Sequence, residues 1–318
     1  MTHRILLDTD LAMGAPGSDI DDGFALALAL ADPDLVVEQV TTVGGNTDVD
    51  TATALTLDLL ERLGRPDVPV VRGASRPLVR PGAPHGTQSR SRSATGRREP
   101  APGFAATALV ERVMAAPGEL TIVAIGPLTN VALALSLEPR LACAVREVVV
   151  MGGVYLGHTN RAGMPGEFNF WADPDAAAVV LASGAPLRLV GLDVTLQVRL
   201  TREHAARMAA GGRAFGEYAG ASTQDWIAHT ERTRPGDVEE HGSCALHDPL
   251  AVAVVSRPEL VTWRPAYVAV EAASDLTRGV AVADLLGGDQ PPAANCQIAT
   301  AVDAGTFVEL FLARVSAL

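Results

Sequence analysis

Residues 8–23 read DTDLAMGAPGSDIDDG, with five aspartates among the first fifteen positions. The apolar run Ile5-Leu6-Leu7 precedes this stretch, and an Ala-rich apolar run from Phe24 to Ala31 follows it. This order predicts a buried strand, then a Gly/Pro-containing loop, then a helix. In an open α/β sheet, ligands bind at the carboxyl ends of the strands, which is where such a loop lies. We therefore expect the acidic loop to carry the function.

The closely spaced carboxylates of this loop favour a bound cation. Packed together, they repel one another and raise their own pKa values unless a cation shares them. Oxygen ligands of this kind suit Ca²⁺ or Mg²⁺. The alternative is an acidic surface loop whose aspartates serve as turn residues and helix caps. The position directly after a buried strand favours the metal site.

The overall composition excludes several classes of protein. The 318 residues include 48% hydrophobic residues, carry a net charge of −12 and contain no lysine, so we expect no nucleic-acid partner. Charges, glycines and prolines interrupt every apolar run before it reaches the length of a membrane span, so we expect no membrane partner. Three widely spaced cysteines fit neither a disulfide framework nor a zinc site, which indicates a cytoplasmic protein.

Strand-like and helix-like segments alternate along most of the chain. Predicted strands cover residues 35–43, 69–71, 120–126, 145–151 and 187–194, with helical patterns between most of them. Asp48 can cap the helix that follows it, and Asp173-Pro174 indicates a further helix start. This alternation predicts an α/β fold with an open, mostly parallel sheet and helices on both faces, a Rossmann-like core. Residues 261–300 read as short strands, a small C-terminal β-containing extension, followed by a closing helix. We expect residues 1–318 to form one domain.

Residues 75–103 interrupt the pattern with five prolines and an Arg/Ser-rich run from Arg90 to Arg98. A loop of this length is either functional or mobile, and most of it reads as a flexible surface insertion. The pair His85-Gly86 is the exception that we set apart.

Five stretches, in this order along the chain, resemble the inosine–uridine-preferring nucleoside hydrolase family. They are Asp8-Thr9-Asp10 with Asp21-Asp22; residues 42–46 (TVGGN); residues 123–130 (VAIGPLTN); residues 150–153 (VMGG) with 167–169 (EFN) and Asp173-Pro174; and His247-Asp248-Pro249. The resemblance implies Ca²⁺-dependent hydrolysis of the N-glycosidic bond of ribonucleosides, in purine and pyrimidine salvage. It further implies a homodimer or homotetramer.

The resemblance also implies roles for individual residues. The metal ligands are the side chains of Asp10, Asp22 and Asp248 and the backbone carbonyl of Ile125. Asp10 is in addition the general base for water, and His247 lies near the leaving base. The residues implied in substrate binding are Asp21, Asn46, Met151, Asn160, Glu167, Asn169 and His85.

Without the family, several of these residues have simpler interpretations. Asn46 and Asn160 read equally well as turn residues. Glu167 and Asn169 alternate about Phe168 as in a half-buried strand, and His247 fits an ordinary helix start. Trp226 and His229 indicate helix packing rather than a contact with the base.

The chain departs from the family pattern in three loops, and two alternative functions stay open. The loop from Asn160 to Glu167 is one residue longer than usual, and the Arg/Ser run replaces the Gly-rich continuation after His85-Gly86. Leu11 to Ile20 lengthen the first loop, so Asp19 could exchange roles with Asp21. The arginines of residues 90–98 could instead bind a phosphate, which would make a 5′-phosphorylated riboside the substrate. A non-catalytic Ca²⁺ and ribose binding module is the other alternative, although pure binding would not need the base Asp10.

Overall fold

The fold is described by a computed structural model for residues 2–80, 98–237 and 241–318. The strands of these ranges are β1 His3–Thr9, β2 Leu35–Thr42, β3 Val70–Arg72, β4 Leu120–Ala124, β5 Glu147–Met151, β6 Leu187–Val190, β7 Arg199–Thr201, β8 Ser243–Ala245, β9 Val261–Val270, β10 Ala281–Asp284 and β11 Cys296–Val302. The helices are α1 Asp21–Ala31, α2 Val49–Arg62, α3 Ala105–Ala115, α4 Thr129–Leu137, α5 Leu141–Ala144, α6 Phe168–Ala172, α7 Pro174–Leu181, α8 Leu192–Thr195, α9 Arg202–Ala210, α10 Ala214–Thr233, α11 His247–Ser256 and α12 Ala304–Val315.

Nine strands form the central sheet, in the order β10-β9-β11-β6-β5-β4-β1-β2-β3. The pairs from β3 through β11 are parallel, and β9 and β10 add an antiparallel edge. The chain leaves β1 toward β2 on one side, and β4 later pairs with β1 on the other side. The strand order therefore switches direction between β1 and β4, the position at which open α/β sheets bind ligands. The predicted mostly parallel α/β sheet is confirmed.

Helices cover both faces of the sheet because alternate residues of the strands point to opposite sides. Ile5 and Leu7 of β1 pack in the hydrophobic cluster that includes α1, α2, α11 and α12. Leu6 packs on the opposite face with α3, α4 and α7. This two-sided burial explains why the strand sequence is apolar at consecutive positions.

Two helix starts follow from capping residues visible in the sequence. Asp48 accepts hydrogen bonds from the backbone N–H groups of Asp50 and Thr51, at 3.1 and 2.9 Å, and so caps α2. Asp173 caps α7, whose first residue is Pro174, by accepting from the N–H of Ala176 at 3.1 Å. Both positions were predicted as helix starts, and both are confirmed.

The C-terminal strands belong to the central sheet. β11 pairs in parallel with β6, and β9 then pairs antiparallel with β11. The predicted β-containing extension is therefore continuous with the edge of the sheet. The short two-stranded sheet β7-β8 was not predicted, since each strand has only three residues. Among the described residues, no helix is both long and apolar enough to cross a lipid bilayer.

Candidate active site

Three buried carboxylates meet at the N-terminal ends of α1 and α11. Asp21 and Asp22 begin α1, and Asp248 is the second residue of α11. Each side chain offers an oxygen atom, and these oxygens all lie within 4.8 Å of one another. The backbone N–H of Asp248 donates to Asp21 Oδ2 at 3.2 Å, which joins the two helix starts. Chain segments more than 200 residues apart thus form one acidic cluster.

The electrostatics of this cluster suit a bound cation. Burial, and then repulsion from neighbouring carboxylates, raises the pKa values of Asp10, Asp21 and Asp248 well above their usual range. Burial also raises the pKa of Asp22 to about 6. A divalent cation would relieve both the desolvation and the repulsion, and carboxylate oxygens are the donors that Ca²⁺ and Mg²⁺ prefer. The residues present therefore fit a hard divalent metal ion.

Asp10 lies directly after β1, beside this cluster. Its Oδ2 accepts a hydrogen bond from the backbone N–H of Asn46 at 2.6 Å, whereas its buried Oδ1 has no hydrogen-bond partner among the described residues. A Cβ atom added at Gly45 would lie 2.0 Å from Asp10 Oδ2, and one added at Gly126 would lie 2.9 Å from Oδ1. The glycines of two motif stretches therefore make room for this carboxylate.

Asn46 connects Asp10 with Asp22. Its backbone binds Asp10, and its side-chain Nδ2 donates to Asp22 Oδ2 at 3.0 Å. The hydroxyl of Thr9 donates to the other oxygen of Asp22. Asn46 thus lies at the cluster. Its backbone N–H orients the carboxylate of Asp10, and its side-chain amide orients that of Asp22.

The backbone carbonyl of Ile125 follows β4, adjacent to the end of β1. Its oxygen accepts a hydrogen bond from Asn169 Nδ2 at 3.0 Å. The same Nδ2 lies 3.2 Å from the carbonyl oxygen of Met151 and 3.6 Å from its Sδ. Asn169 therefore joins the ends of β4 and β5 to α6.

Glu167 caps a helix. Its carboxylate accepts from the backbone N–H groups of Gly153, Asn169 and Phe170 at 3.0, 2.8 and 3.1 Å. Burial nevertheless raises its pKa to about 7. The alternative reading of residues 167–169 as a half-buried strand is wrong, because Glu167 satisfies the free N–H groups of α6 in the way that helix caps do.

The described structure does not bring Asn160 to the carboxylates. Asn160 is exposed, has a φ of 56°, and makes no hydrogen bond to the cluster within the described part of the chain. His85 and the arginines at positions 90, 92 and 97 lie outside the described residues. Arg98 is described, and its guanidinium donates to the carbonyl of Val68 at 2.7 Å.

His247 is the first residue of α11 and adjoins Asp248 in the chain. Its half-buried ring lies with Nδ1 2.7 Å from the hydroxyl of Thr195. Burial lowers the pKa of His247 to about 4, although the carboxylate of Asp19 acts in the opposite direction. The ring is thus held next to the acidic cluster in its neutral form.

The long first loop keeps both of its ends in the site. Leu11, Ala12 and Met13 are buried, whereas Pro16 and Gly17 are exposed, so the additional residues bulge outward. A Cβ added at Gly17 would lie 2.9 Å from Cε1 of His229 on α10. His229 stacks on Trp226 with ring centroids 5.4 Å apart, an arrangement consistent with helix packing.

Sequence reasoning missed parts of this arrangement. It assigned Asp21 to the substrate alone, yet the Asp21 carboxylate belongs to the three-carboxylate cluster. It gave no role to Thr9 or to the spacing glycines. The adjacency of Asp21 and Asp22 at a helix start was the available signal, because consecutive residues in a first turn can both reach toward the helix end.

Comparisons with known proteins agree with the fold and the motifs. A family model described as inosine-uridine preferring nucleoside hydrolase matches residues 5–309. The "Non-specific ribonucleoside hydrolase RihC" of Salmonella paratyphi C is 37% identical over 310 residues, covering 96% of this chain and 94% of that protein. An uncharacterized protein of Schizosaccharomyces pombe is 33% identical over 329 residues, covering 99% of both chains.

Solved structures of nucleoside hydrolases have the same fold as this chain. A plant nucleoside hydrolase superposes with a TM-score of 0.87 at 28% identity, covering 100% of both chains. A purine-preferring ribonucleoside hydrolase from Gardnerella vaginalis also gives a TM-score of 0.87, at 29% identity, covering 99% of this chain and 98% of the other. The chain therefore belongs to the inosine-uridine preferring nucleoside hydrolase family, whose members are N-glycosidases.

Proposed function

We propose that this protein hydrolyses the N-glycosidic bond of ribonucleosides to free base and ribose, with Asp10 as the general base. One observation carries the proposal: a buried Asp10 oxygen that has no hydrogen-bond partner in the described part of the chain lies beside a cluster of three carboxylates. In the reaction, a water oxygen bonds to C1′ while the C1′–N bond breaks. Asp10 accepts one proton of that water and later returns it to solvent, the other proton stays on the C1′ hydroxyl, and the departing nitrogen takes up a proton from solvent.

The environment of Asp10 supports its role as a base. The Asn46 N–H fixes one carboxylate oxygen, so the other is free to receive a proton in a defined direction. Burial and the neighbouring Asp22 raise the pKa of Asp10 in the metal-free protein, and a bound cation would oppose this rise, so the support for the base role is the orientation of the carboxylate.

We assign Ca²⁺ to the carboxylates of Asp10, Asp22 and Asp248 and to the carbonyl of Ile125. Asp21 is assigned to a ribose hydroxyl, and its place in the carboxylate cluster adds it as a further candidate ligand. When bound, Ca²⁺ would lower the pKa of water and offer coordination positions to sugar hydroxyls. Asn46 and Thr9 hold the Asp22 carboxylate in one orientation.

The remaining substrate contacts are assigned on the family motifs. Asn46, Asn160, Glu167 and Asn169 would bind ribose hydroxyls, with Met151 as a wall of the pocket and His85 near the sugar or base. The hydrogen bonds of Glu167 and Asn169 support this assignment, because they hold both side chains in fixed positions near the strand ends. Preorganised groups of this kind stabilise a transition state without reorganising.

His247 would stand beside the departing base. We propose that the Thr195 hydroxyl donates to His247 Nδ1, which places the ring proton on Nε2. Nε2–H is then a hydrogen-bond donor toward the leaving base. The lowered pKa of His247 supports a neutral ring at pH 7, so this contact would be a neutral hydrogen bond.

The test is release of ribose from inosine, adenosine, guanosine, uridine and cytidine, each with its 5′-monophosphate alongside. Both base classes belong in the panel, because a relative at 37% identity is named non-specific. We expect release from free nucleosides. Release from monophosphates alone would favour the 5′-phosphorylated substrate, and ribose binding without any release would favour a binding module. Size-exclusion chromatography tests the expected homodimer or homotetramer.

A further inference from the structure

Asp8, the first carboxylate of the acidic stretch, has no role in the reaction described above. It is the fully buried penultimate residue of β1, a strand that lies between β2 and β4. Its Oδ1 accepts hydrogen bonds from the hydroxyl of Thr41 at 2.5 Å and from Nδ2 of Asn130 at 2.8 Å. A buried carboxylate is costly, so its retention in this position calls for a physical reason.

Asp8 binds both ends of the turn that carries the Ile125 carbonyl. Its backbone carbonyl accepts from the N–H of Ile125 at 2.8 Å, at the start of the turn. Its side chain binds Asn130 in the first turn of α4, five residues later. Residues 125–130 are therefore tied to a single residue of β1 at their two ends.

Asn130 is itself held on three sides. Besides Asp8, its Nδ2 donates to the carbonyl of Thr42 at 3.0 Å, and its Oδ1 accepts from the N–H of Ala74 at 2.9 Å. A Cβ added at Gly73 would lie 2.3 Å from Asn130 Oδ1, so the amide fills its space closely. Exchanging the amide oxygen and nitrogen would leave Asp8, Thr42 and Ala74 without their partners, and a shift of the turn would break several buried hydrogen bonds.

We infer that Asp8 is a positioning residue for the metal site, which acts by holding the 125–130 turn so that the Ile125 carbonyl faces the carboxylates. The inference rests on the proposed Ca²⁺ site. One lone pair of the Ile125 carbonyl is used by Asn169, which leaves the second for a cation. Groups that orient metal ligands in this way typically contribute about 10- to 100-fold to metal affinity.

The experiment measures Ca²⁺ binding to the metal-stripped protein by isothermal titration calorimetry, without substrate. Asp8→Leu keeps the approximate shape of the side chain but removes the acceptor for Asn130. Asp8→Asn retains an acceptor oxygen. Asn130→Asp retains the acceptor for Ala74 but places a carboxylate oxygen against Asp8. Thr56→Val is the matched control, since it removes a buried 2.8 Å hydrogen bond to Ala52 within α2.

We expect Asp8→Leu and Asn130→Asp to raise the Ca²⁺ dissociation constant about 10- to 100-fold. The dissociation constants of Asp8→Asn and Thr56→Val should stay within about threefold of that of the unmodified protein, whatever their melting temperatures. Circular dichroism establishes that each variant is folded. A purely structural role would change the melting temperature of Asp8→Leu and leave the dissociation constant of its folded form unchanged, which would overturn the inference.

The Asn130→Asp variant keeps the inference testable if Asp8→Leu does not fold. If Asp8→Leu does not fold, Asn130→Asp with unchanged Ca²⁺ affinity overturns the inference in the same way. If the unmodified protein binds no Ca²⁺ at all, it is the proposed metal site that fails. The two failures are therefore distinguishable.

Discussion

The backbone N–H of Asn46 donates a 2.6 Å hydrogen bond to Oδ2 of Asp10, and this contact gives the two oxygens of the carboxylate different roles. Oδ2 is committed to Asn46, whereas the buried Oδ1 has no partner among the described residues. A single hydrogen bond from the loop between β2 and α2 thus orients a group that follows β1. The predictions below depend on this orientation and on the carboxylates around it.

Replacing Asp10 with Asn should remove the base and keep the fold. The Asn side chain can still accept from the Asn46 N–H, but it cannot take a proton from water. At saturating Ca²⁺ we expect kcat to fall by about 10²- to 10⁴-fold, measured by steady-state ribose release. Asp67→Asn, in an exposed ion pair with Arg65, is the control and should keep its rate. A near-normal kcat for Asp10→Asn would remove Asp10 from the role of base.

Asp21 and Asp19 should differ in their effect on metal binding. Asp21 is buried within the three-carboxylate cluster, whereas Asp19 is half-buried and bonds to the N–H of Ile20 at 2.7 Å. We expect Asp21→Asn to weaken Ca²⁺ binding at least tenfold, and Asp19→Asn to change it by only a few-fold. Calorimetric titration of both variants checks this order. If Asp19→Asn weakened Ca²⁺ binding more than Asp21→Asn, Asp19 rather than Asp21 would be the carboxylate at the metal.

Gly45→Ala should disturb the site with little effect on the rest of the fold. The added methyl would lie 2.0 Å from Asp10 Oδ2, so the carboxylate must move away from Asn46. Because a displacement of about 1 Å can cost on the order of 100-fold in rate, we expect a loss of that size in kcat/KM. Gly288→Ala is the control, since an added Cβ there meets no atom within 4 Å. Equal rates for both variants would contradict the close fit around Asp10.

Stability should depend on pH and Ca²⁺ together. Burial raises the pKa of Glu167 to about 7 and that of Asp22 to about 6. Burial also raises the pKa of Asp8 to about 7, whereas it lowers the pKa of His247 to about 4, which has the opposite effect on proton binding. Because the carboxyl groups outnumber this histidine, the folded metal-free protein binds more protons than the unfolded chain between roughly pH 4 and 7. Its free energy of unfolding should fall as pH rises through this window. Bound Ca²⁺ takes the place of these protons. The increase in melting temperature on adding Ca²⁺ should therefore be larger at pH 7.5 than at pH 5.

Differential scanning fluorimetry of metal-stripped protein, with and without Ca²⁺ at four pH values, measures both trends. The comparison with Mg²⁺ under the same conditions reports the selectivity of the site. A metal-free melting temperature that rises between pH 5 and 7, or a Ca²⁺ effect that shrinks over this range, would contradict the raised pKa values.

The parts of the fold that were predicted correctly depend on burial of apolar residues or on local helix capping. Apolar runs predicted the buried parallel strands, and Asp48 and Asp173-Pro174 predicted two helix starts by local capping. The β7 and β8 strands were missed because three residues contain too little periodicity for recognition. Their pairing depends on contacts between Arg199 and Ala245 that are distant along the chain.

The site was predictable in its residue types and less so in its geometry. The family resemblance pointed to Asp10, Asp22 and Asp248, and the structure brings Asp22 and Asp248 together with Asp21. The strand-like reading of residues 167–169 was wrong because Glu167 satisfies backbone groups of α6, a local bond that alternation cannot reveal. The binding of Asn130 by Asp8 was also invisible, since the two residues are 122 positions apart.

The most direct test of the central claim is ribose release from inosine and uridine by metal-stripped protein as Ca²⁺ is added back. The proposed mechanism predicts no turnover without metal, and turnover that rises with Ca²⁺ and saturates at the occupancy measured by calorimetry. The Asp10→Asn variant should bind the nucleoside and release almost no ribose at the same occupancy. Turnover that persists in the stripped protein after prolonged chelation would contradict a Ca²⁺-dependent site.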